Sequence, residues 1–354
     1  MKVNKLYLKN FRNISESEIF PQDEINVICG ENAQGKTNII EALWLFSGAK
    51  SFRGSKDFEL IKKGEKSALI STDFTFLGVK NEAQIKISDK KTAFLNEKEL
   101  SSASKLAGNF NAVIFSPVDL ELVKGGPQVR RKFLDLSIGQ IYPNYIEILK
   151  SYKRAVMQRN KIIKDLKYDK TVEVMLDIFE KEIAISGEKI IKYRKNYIED
   201  LKKYLPEIYS GLSGGREQIS AVYVANCEDN IEKNLKESRK EDMYTGVTSV
   251  GPHRDKITFL INGDDSRSFG SQGQQRSVSL SLKLSQAEVA KEITGEQPIC
   301  LLDDVMSELD VTRQNYILNH IKGRQAFITC CDPSNTARLK EGKIYTVKNG
   351  EVLN

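Results

Sequence analysis

Gly30-Glu31-Asn32-Ala33-Gln34-Gly35-Lys36-Thr37 matches the phosphate-binding pattern G-x-x-x-x-G-K-[ST] at every fixed position. Glycines at the ends of such a loop let the backbone curl so that several N–H groups point inward at phosphate oxygens, beside a helix N-terminus whose dipole also favours anions. Lys36 is the residue expected to reach the β/γ-phosphates of ATP, and the Thr37 hydroxyl the one expected to bind Mg²⁺. The flanks fit as well: Ile25-Asn26-Val27-Ile28-Cys29 reads as a buried strand entering the loop, and Asn38 to Phe46 (NIIEALWLF) as the helix leaving it.

Working outward, Pro298-Ile299-Cys300-Leu301-Leu302 is a short apolar run that ends in Asp303-Asp304. This has the character of a Walker B strand, which delivers a carboxylate beside the phosphate loop as a second anchor for Mg²⁺. Asp303 is the expected anchor. Asp304, just past the strand end, is the candidate to orient or deprotonate an attacking water. The continuation Val305-Met306-Ser307-Glu308-Leu309-Asp310 has the layout of an ABC-type D-loop, with Ser307 and Asp310 in the S-x-L-D positions. Upstream, Ser271-Gln272-Gly273-Gln274-Gln275-Arg276 resembles the ABC signature loop and opens an apolar-periodic helix through Val278, Leu282, Ser285 and Val289. In ABC ATPases this loop touches the γ-phosphate held by the opposite subunit, so Ser271, Gly273 and Gln274 are the candidate contacts across an ATP-dependent homodimer. Leu212-Ser213-Gly214-Gly215-Arg216 looks closer to the standard L-S-G-G-Q. The strand-like alternation of residues 217 to 225 rejects it, because a signature loop must start a helix to aim N–H groups at phosphate.

These motifs, in this order, resemble the RecF family of bacterial recombinational-repair ATPases, related to the heads of Rad50 and SMC proteins. Further blocks carry the resemblance over nearly the whole length: Leu6 to Asn13 (LYLKNFRN), Val113 to Leu120 (VIFSPVDL) with Gly126-Pro127, Arg130-Arg131 and Phe133-Leu134-Asp135, and Ser249 to Asp255 (SVGPHRD). The chain departs from general ABC practice in lacking a glutamate after Asp303, in having Cys330-Cys331 where a switch histidine is expected, and in showing no clear Q-loop glutamine after Phe115. A shorter carboxylate and a missing histidine suggest slow hydrolysis, below the enzyme median of about 10 per second, suited to a timing switch. The resemblance implies ATP-dependent binding to duplex DNA at gaps or junctions, and cooperation with RecR and RecO to load RecA there.

Composition is compatible with this class. Lys and Arg number 54 against 48 Asp and Glu, a net charge of +6. Lys150, Lys153, Arg154, Arg159, Lys161, Lys164 and Lys167, then Lys189, Lys192, Arg194, Lys195, Lys202 and Lys203, form a basic comb suited to phosphate-backbone contacts, with no base-reading module in sight. The five cysteines lack C-x-x-C spacing and read as reduced, and two histidines leave little for a histidine-built metal site. No apolar run is long enough to span a membrane and the N-terminus reads as a strand, so a cytoplasmic, nucleoid-associated protein is expected.

The predicted architecture is α/β: an ABC-type P-loop ATPase head, with a mixed or parallel sheet and a smaller N-terminal antiparallel sheet, and an inserted α-helical arm. The head is assembled from residues 1–135 and 211–354. Residues 136–210 form the arm, read as two antiparallel helices from the three-four spacing of Phe179, Ile183, Ile190, Tyr193, Tyr197, Leu201 and Tyr204 and the shorter stripe of Ile146, Leu149, Val156 and Ile163. Two other classes use a P-loop: a membrane-transporter ATPase subunit, which needs a stronger signature and a switch histidine, and a small-molecule kinase, which has no use for the Ser271 loop.

Overall fold

The computed structural model describes residues 1–166, 170–331 and 342–353. Along the chain run β1 (Lys2–Phe11), β2 (Ile14–Ile19), β3 (Ile25–Cys29), α1 (Lys36–Leu45), β4 (Ala68–Phe76), β5 (Val79–Ile87), β6 (Lys91–Leu95), β7 (Lys98–Leu100) and β8 (Ala112–Phe115). Four helices follow, α2 (Glu121–Lys124), α3 (Pro127–Ile141), α4 (Pro143–Asp165) and α5 (Val174–Ser213), then β9 (Ile219–Val224), α6 (Ile231–Glu237), α7 (Arg239–Thr245), β10 (Lys256–Ile261) and β11 (Asp264–Asp265). The chain closes with α8 (Gln272–Thr294), β12 (Ile299–Leu302), α9 (Val311–His320), β13 (Ala326–Cys330), β14 (Lys343–Lys348) and β15 (Glu351–Leu353).

Contacts divide the chain into two compact units. The first comprises Met1–Leu120, Glu207–Arg216 and Ser279–Asn354; the second comprises Glu121–Pro206 and Glu217–Val278. Residues 135 and 210, the expected edges of the arm, fall inside α3 and α5.

In the first unit, one sheet has the order β15-β14-β3-β13-β12-β8, parallel throughout except for β15. Its central strands are short runs such as Ile299-Cys300-Leu301-Leu302, buried at every residue, as a sheet covered on both faces requires. β13 lies between β3 and β12, so both strands that end in chemical motifs flank it. The second sheet, β2-β1-β4-β5-β6-β7, is antiparallel, as expected of the N-terminal sheet. It has as many strands as the first and is not the smaller of the two. In β1 the buried residues change parity between Val3 and Leu6, where a bulge shifts the register against β4.

In the second unit, α4 and α5 pair antiparallel. The Tyr142 and Tyr193 rings pack 5.3 Å apart, Ser151 donates to Glu182 at 2.8 Å, and Ile162, Ile163 and Leu176 share one apolar cluster. A three-stranded antiparallel sheet, β11-β10-β9, belongs to the same unit.

The basic comb on these helices needs correction. Arg159 is fully buried, with Glu180 at 3.0 Å and Asp242 at 2.6 Å. Arg194 is buried between Asp135 at 2.9 Å and Asp255 at 2.8 Å. Both arginines neutralise interior carboxylates and are withdrawn from any surface role. Lys150, Lys195, Lys202 and Lys203 hold carboxylates on the surface, and Lys167 lies outside the described residues. Lys153, Arg154, Lys161, Lys164, Lys189 and Lys192 are exposed and make no ion pair among the described residues.

Candidate functional site

The residues of the phosphate loop follow β3 directly and run into α1. Gly30 has φ +154°, and a Cβ there would stand 2.4 Å from the carbonyl oxygen of Val347 on β14. Gly35 has φ +121°, and a Cβ there would meet Asn13 Oδ1 at 2.8 Å. Both positions therefore demand glycine for backbone and for space. Ala33, between them, also takes a positive φ of 65°. Asn13 fixes the loop from outside: its Nδ2 donates to the Gln34 carbonyl at 2.9 Å, and its Oδ1 accepts from Asn38 Nδ2 at 2.7 Å.

Lys36 is buried, and its ammonium donates to the carbonyls of Gly30 at 2.7 Å and Glu31 at 2.9 Å. The Cys331 thiol lies 3.4 Å from the same nitrogen and donates to Asn32 Oδ1 at 3.0 Å. Glu31, Asn32 and Ala33 are exposed at the rim.

The two motif carboxylates arrive from β12. Thr37 Oγ1 donates to Asp303 Oδ1 at 2.9 Å, so the hydroxyl and carboxylate expected to share a metal already touch. Burial pushes the Asp303 carboxyl up to about 6; Asp304 adds repulsion, while hydrogen bonds from Thr37 and Thr329 oppose the rise. Asp304 sits at φ +52°, a left-handed backbone uncommon outside glycine. Thr329 holds it there: its Oγ1 accepts from the Asp304 N–H at 2.8 Å and reaches Asp303 Oδ1 and Asp304 Oδ1, each at 3.2 Å. Sequence reasoning passed over Thr329. The available signal was a lone hydroxyl inside the apolar strand Ala326-Phe327-Ile328-Thr329-Cys330, whose meaning depends on β13 lying beside β12.

A second overlooked network supports α1. Glu41 is fully buried, and Arg12 grips both its oxygens at 2.8 Å, with Ser51 donating to it as well. Arg53 Nη1 donates to Asn38 at 3.1 Å, and its charge helps hold the Asp303 carboxyl down.

The remaining predicted residues lie elsewhere in the chain. Ser271 opens α8 as one half of a capping box: its N–H donates to Gln274 Oε1 at 2.7 Å, and its Oγ accepts from the Gln274 N–H at 3.3 Å. Gly273 follows inside the first turn. The rejected Leu212–Arg216 segment closes a helix. Gly214 and Gly215 take φ +77° and +76°, and Gly215 N donates back to the Ser210 carbonyl at 2.9 Å, so this end presents carbonyls to its surroundings. Ser307 Oγ donates to the Asp304 carbonyl at 2.9 Å, and Asp310 caps α9 through the Arg313 N–H, also at 2.9 Å.

Fold and site together define a P-loop ATPase head of the ABC type. The profile described as the RecF/RecN/SMC N terminal domain matches residues 2–351. The DNA replication and repair protein RecF of Lachnospira eligens is 39% identical over 361 residues, spanning 100% of this chain and 99% of its own. That of Clostridium perfringens is 39% identical over 367 residues, spanning 99% of each. Among solved structures, the recombination mediator protein RecF of the RecFOR pathway, as RecF-ATPrS, superposes with a TM-score of 0.92 at 37% identity, covering 99% of this chain and 97% of that one. An Smc head domain from Pyrococcus furiosus shares the fold at a TM-score of 0.56 and 16% identity, covering 99% of this chain and 95% of that one. The chain belongs to the RecF family, within the wider RecF/RecN/SMC group.

Proposed function

We propose that this protein is an ATP-dependent DNA-binding ATPase of bacterial recombinational repair and replication, acting in a RecFOR pathway. ATP closes a homodimer over duplex DNA near gaps or junctions, and slow hydrolysis releases it. Family membership supports the repair role, and a RecF relative solved as RecF-ATP supports the nucleotide. The observation that carries the chemistry is the 2.9 Å bond between Thr37 and Asp303, which joins the phosphate loop to the acidic strand.

The donor set fits Mg²⁺. A hydroxyl and a carboxylate are hard oxygen ligands, and one or two such groups plus phosphates are what Mg²⁺ ordinarily takes from a protein. Thr37 and Asp303 would hold it, and it would neutralise charge on the β- and γ-phosphate oxygens. Lys36 exchanges the carbonyls of Gly30 and Glu31 for phosphate oxygens. Asp304, oriented by Thr329, receives the proton of the attacking water. Ser271, Gly273 and Gln274 of one copy meet the γ-phosphate held by the other, using the N–H groups that open α8. The proposal extends to cooperation with RecR and RecO in loading RecA, a reading that family membership supports.

Fluorescence anisotropy of a labelled duplex tests this reading. Binding should appear with ATP and Mg²⁺, disappear without them, and be lost in Lys36→Met. Equal binding in all conditions would refute the ATP-dependent clamp. No helix among the described residues is long and apolar enough to cross a membrane, and a cytoplasmic, nucleoid-associated location agrees with the proposed substrate.

A further inference from the structure

Two blocks singled out in the sequence, Gly126-Pro127 with Arg130-Arg131 and Ser249 to Asp255, have no part in the nucleotide chemistry described above. They meet in the second unit, where Arg131 Nη1 on α3 donates to the backbone carbonyl of Asp255 at 2.8 Å. We propose that Arg131 and Arg254 together form a cradle for the backbone phosphates of duplex DNA. The proposal rests on the DNA-binding reading and assigns residues to it.

Both guanidinium groups are held by backbone carbonyls. Arg254 donates through Nε at 3.3 Å and Nη2 at 3.1 Å to the Thr248 carbonyl. Neither Arg254 nor Arg131 makes an ion pair among the described residues. A carbonyl orients a guanidinium without neutralising it, so both keep a full positive charge and unspent N–H groups. Arg194, close by, provides the contrast, because Asp135 and Asp255 compensate it. Three guanidinium groups thus face two carboxylates, leaving an excess cation. Burial, then repulsion from Arg194, lowers Arg131's affinity for its own proton; the Asp255 and Asp135 carboxylates oppose this, and Arg254 adds to it. An incoming phosphate relieves that repulsion. The planar fork of arginine matches phosphate oxygens two at a time.

The rest of the Gly251-Pro252-His253-Arg254 block serves to hold Arg254 in place. His253 Nδ1 accepts from the Tyr152 hydroxyl at 2.5 Å, and its Nε2 donates to the same Thr248 carbonyl at 2.9 Å. Burial pushes the His253 pKa down, so the ring is a neutral strut. Gly251 has φ +125°, and a Cβ there would stand 2.5 Å from the Tyr152 hydroxyl oxygen, closing the path to His253. Pro252 starts the short 3₁₀ turn that ends at Arg254. A tyrosine, a histidine, a glycine and a carbonyl are therefore committed to one solvent-exposed guanidinium.

The test is duplex affinity with ATP and Mg²⁺, measured from about 50 to about 200 mM salt for the unaltered protein, Arg131→Gln/Arg254→Gln and Arg131→Lys/Arg254→Lys. Losing two phosphate contacts should flatten the slope of log affinity against log salt by about 1.8, so the fall across that range shrinks about twelvefold. The double lysine variant should recover most of the slope. ATP affinity and melting temperature should match the unaltered protein in both variants. An unchanged slope in the glutamine variant overturns the cradle. So does an equal loss of ATP affinity, which would assign the pair to nucleotide, or a fall in melting temperature in both variants, which would make the pair structural struts. If the unaltered protein binds no duplex with ATP, the DNA-binding reading itself fails and the cradle with it.

Discussion

Replacing Asp303 by Asn separates the carboxylate's charge from its shape. The folded carboxyl titrates at about 6 against an ordinary 3.8, chiefly because burial penalises the charged form. Between roughly pH 4 and pH 6 the native state therefore keeps a proton that the unfolded chain has released, and stability falls as pH rises through that window. Above the window the ionised group costs about 3 kcal/mol, from about two pH units at about 1.4 kcal/mol each. Asparagine has the same outline and retains an oxygen for Thr37 and Thr329, both of which reach Oδ1. With a chelator present and no nucleotide, Asp303→Asn should be more stable by about 3 kcal/mol at about pH 8, by about half that near pH 5, and by nothing near pH 3. Urea unfolding followed by circular dichroism at the three pH values measures this. The same variant should gain no stability from ATP and Mg²⁺, which stabilise the unaltered protein by mass action. A gain that ignores pH, or a loss at about pH 8, would refute the account of Asp303 as a buried anion only partly offset by its neighbours and awaiting a cation.

Two further outcomes follow from the geometry. Arg159→Met should destabilise the protein by about 3–5 kcal/mol in the same unfolding assay, because Asp242 loses its buried cation and Glu180 keeps only Arg239; a change below about 1 kcal/mol would show that the triad is solvated. Cys331 is exposed and within 3.4 Å of Lys36 Nζ, so ATP at about 100 times its Kd should slow its alkylation about a hundredfold, since only the free fraction reacts. Mass spectrometry reads this out, with half-buried Cys227 as the internal reference; equal slowing at both cysteines would refute it.

The parts of the site that were legible in sequence are those whose chemistry is local. Gly30 and Gly35 must be glycine because of backbone angles that a short motif imposes, and β-branched and apolar runs such as Ile25–Cys29 mark central strands wherever they occur. Thr329 was not legible, because its role comes from β13 lying between β3 and β12, and parallel strand order is set by packing between distant segments. Arg159 and Arg194 were misread for a related reason. On a helix rich in lysine a buried arginine looks like its solvated neighbours until the carboxylates of Asp242 and Asp255, far along the chain, are placed beside it. α8 was expected to be an apolar-periodic helix, and its burial goes further than that period. It is buried on all sides from Ser277 to Ala287, its serines being small enough for close packing.

The central claim is that ATP joins two copies of this chain through Lys36 of one and Ser271 of the other. Its most direct test is molecular mass in solution with and without ATP and Mg²⁺, and with a short duplex added, for the unaltered protein, Lys36→Met and Ser271→Arg. The account predicts a monomer that ATP converts to a dimer, a tighter dimer with duplex, and monomers throughout for both variants. A mass that ignores ATP would contradict it, as would a Ser271→Arg protein that still dimerises.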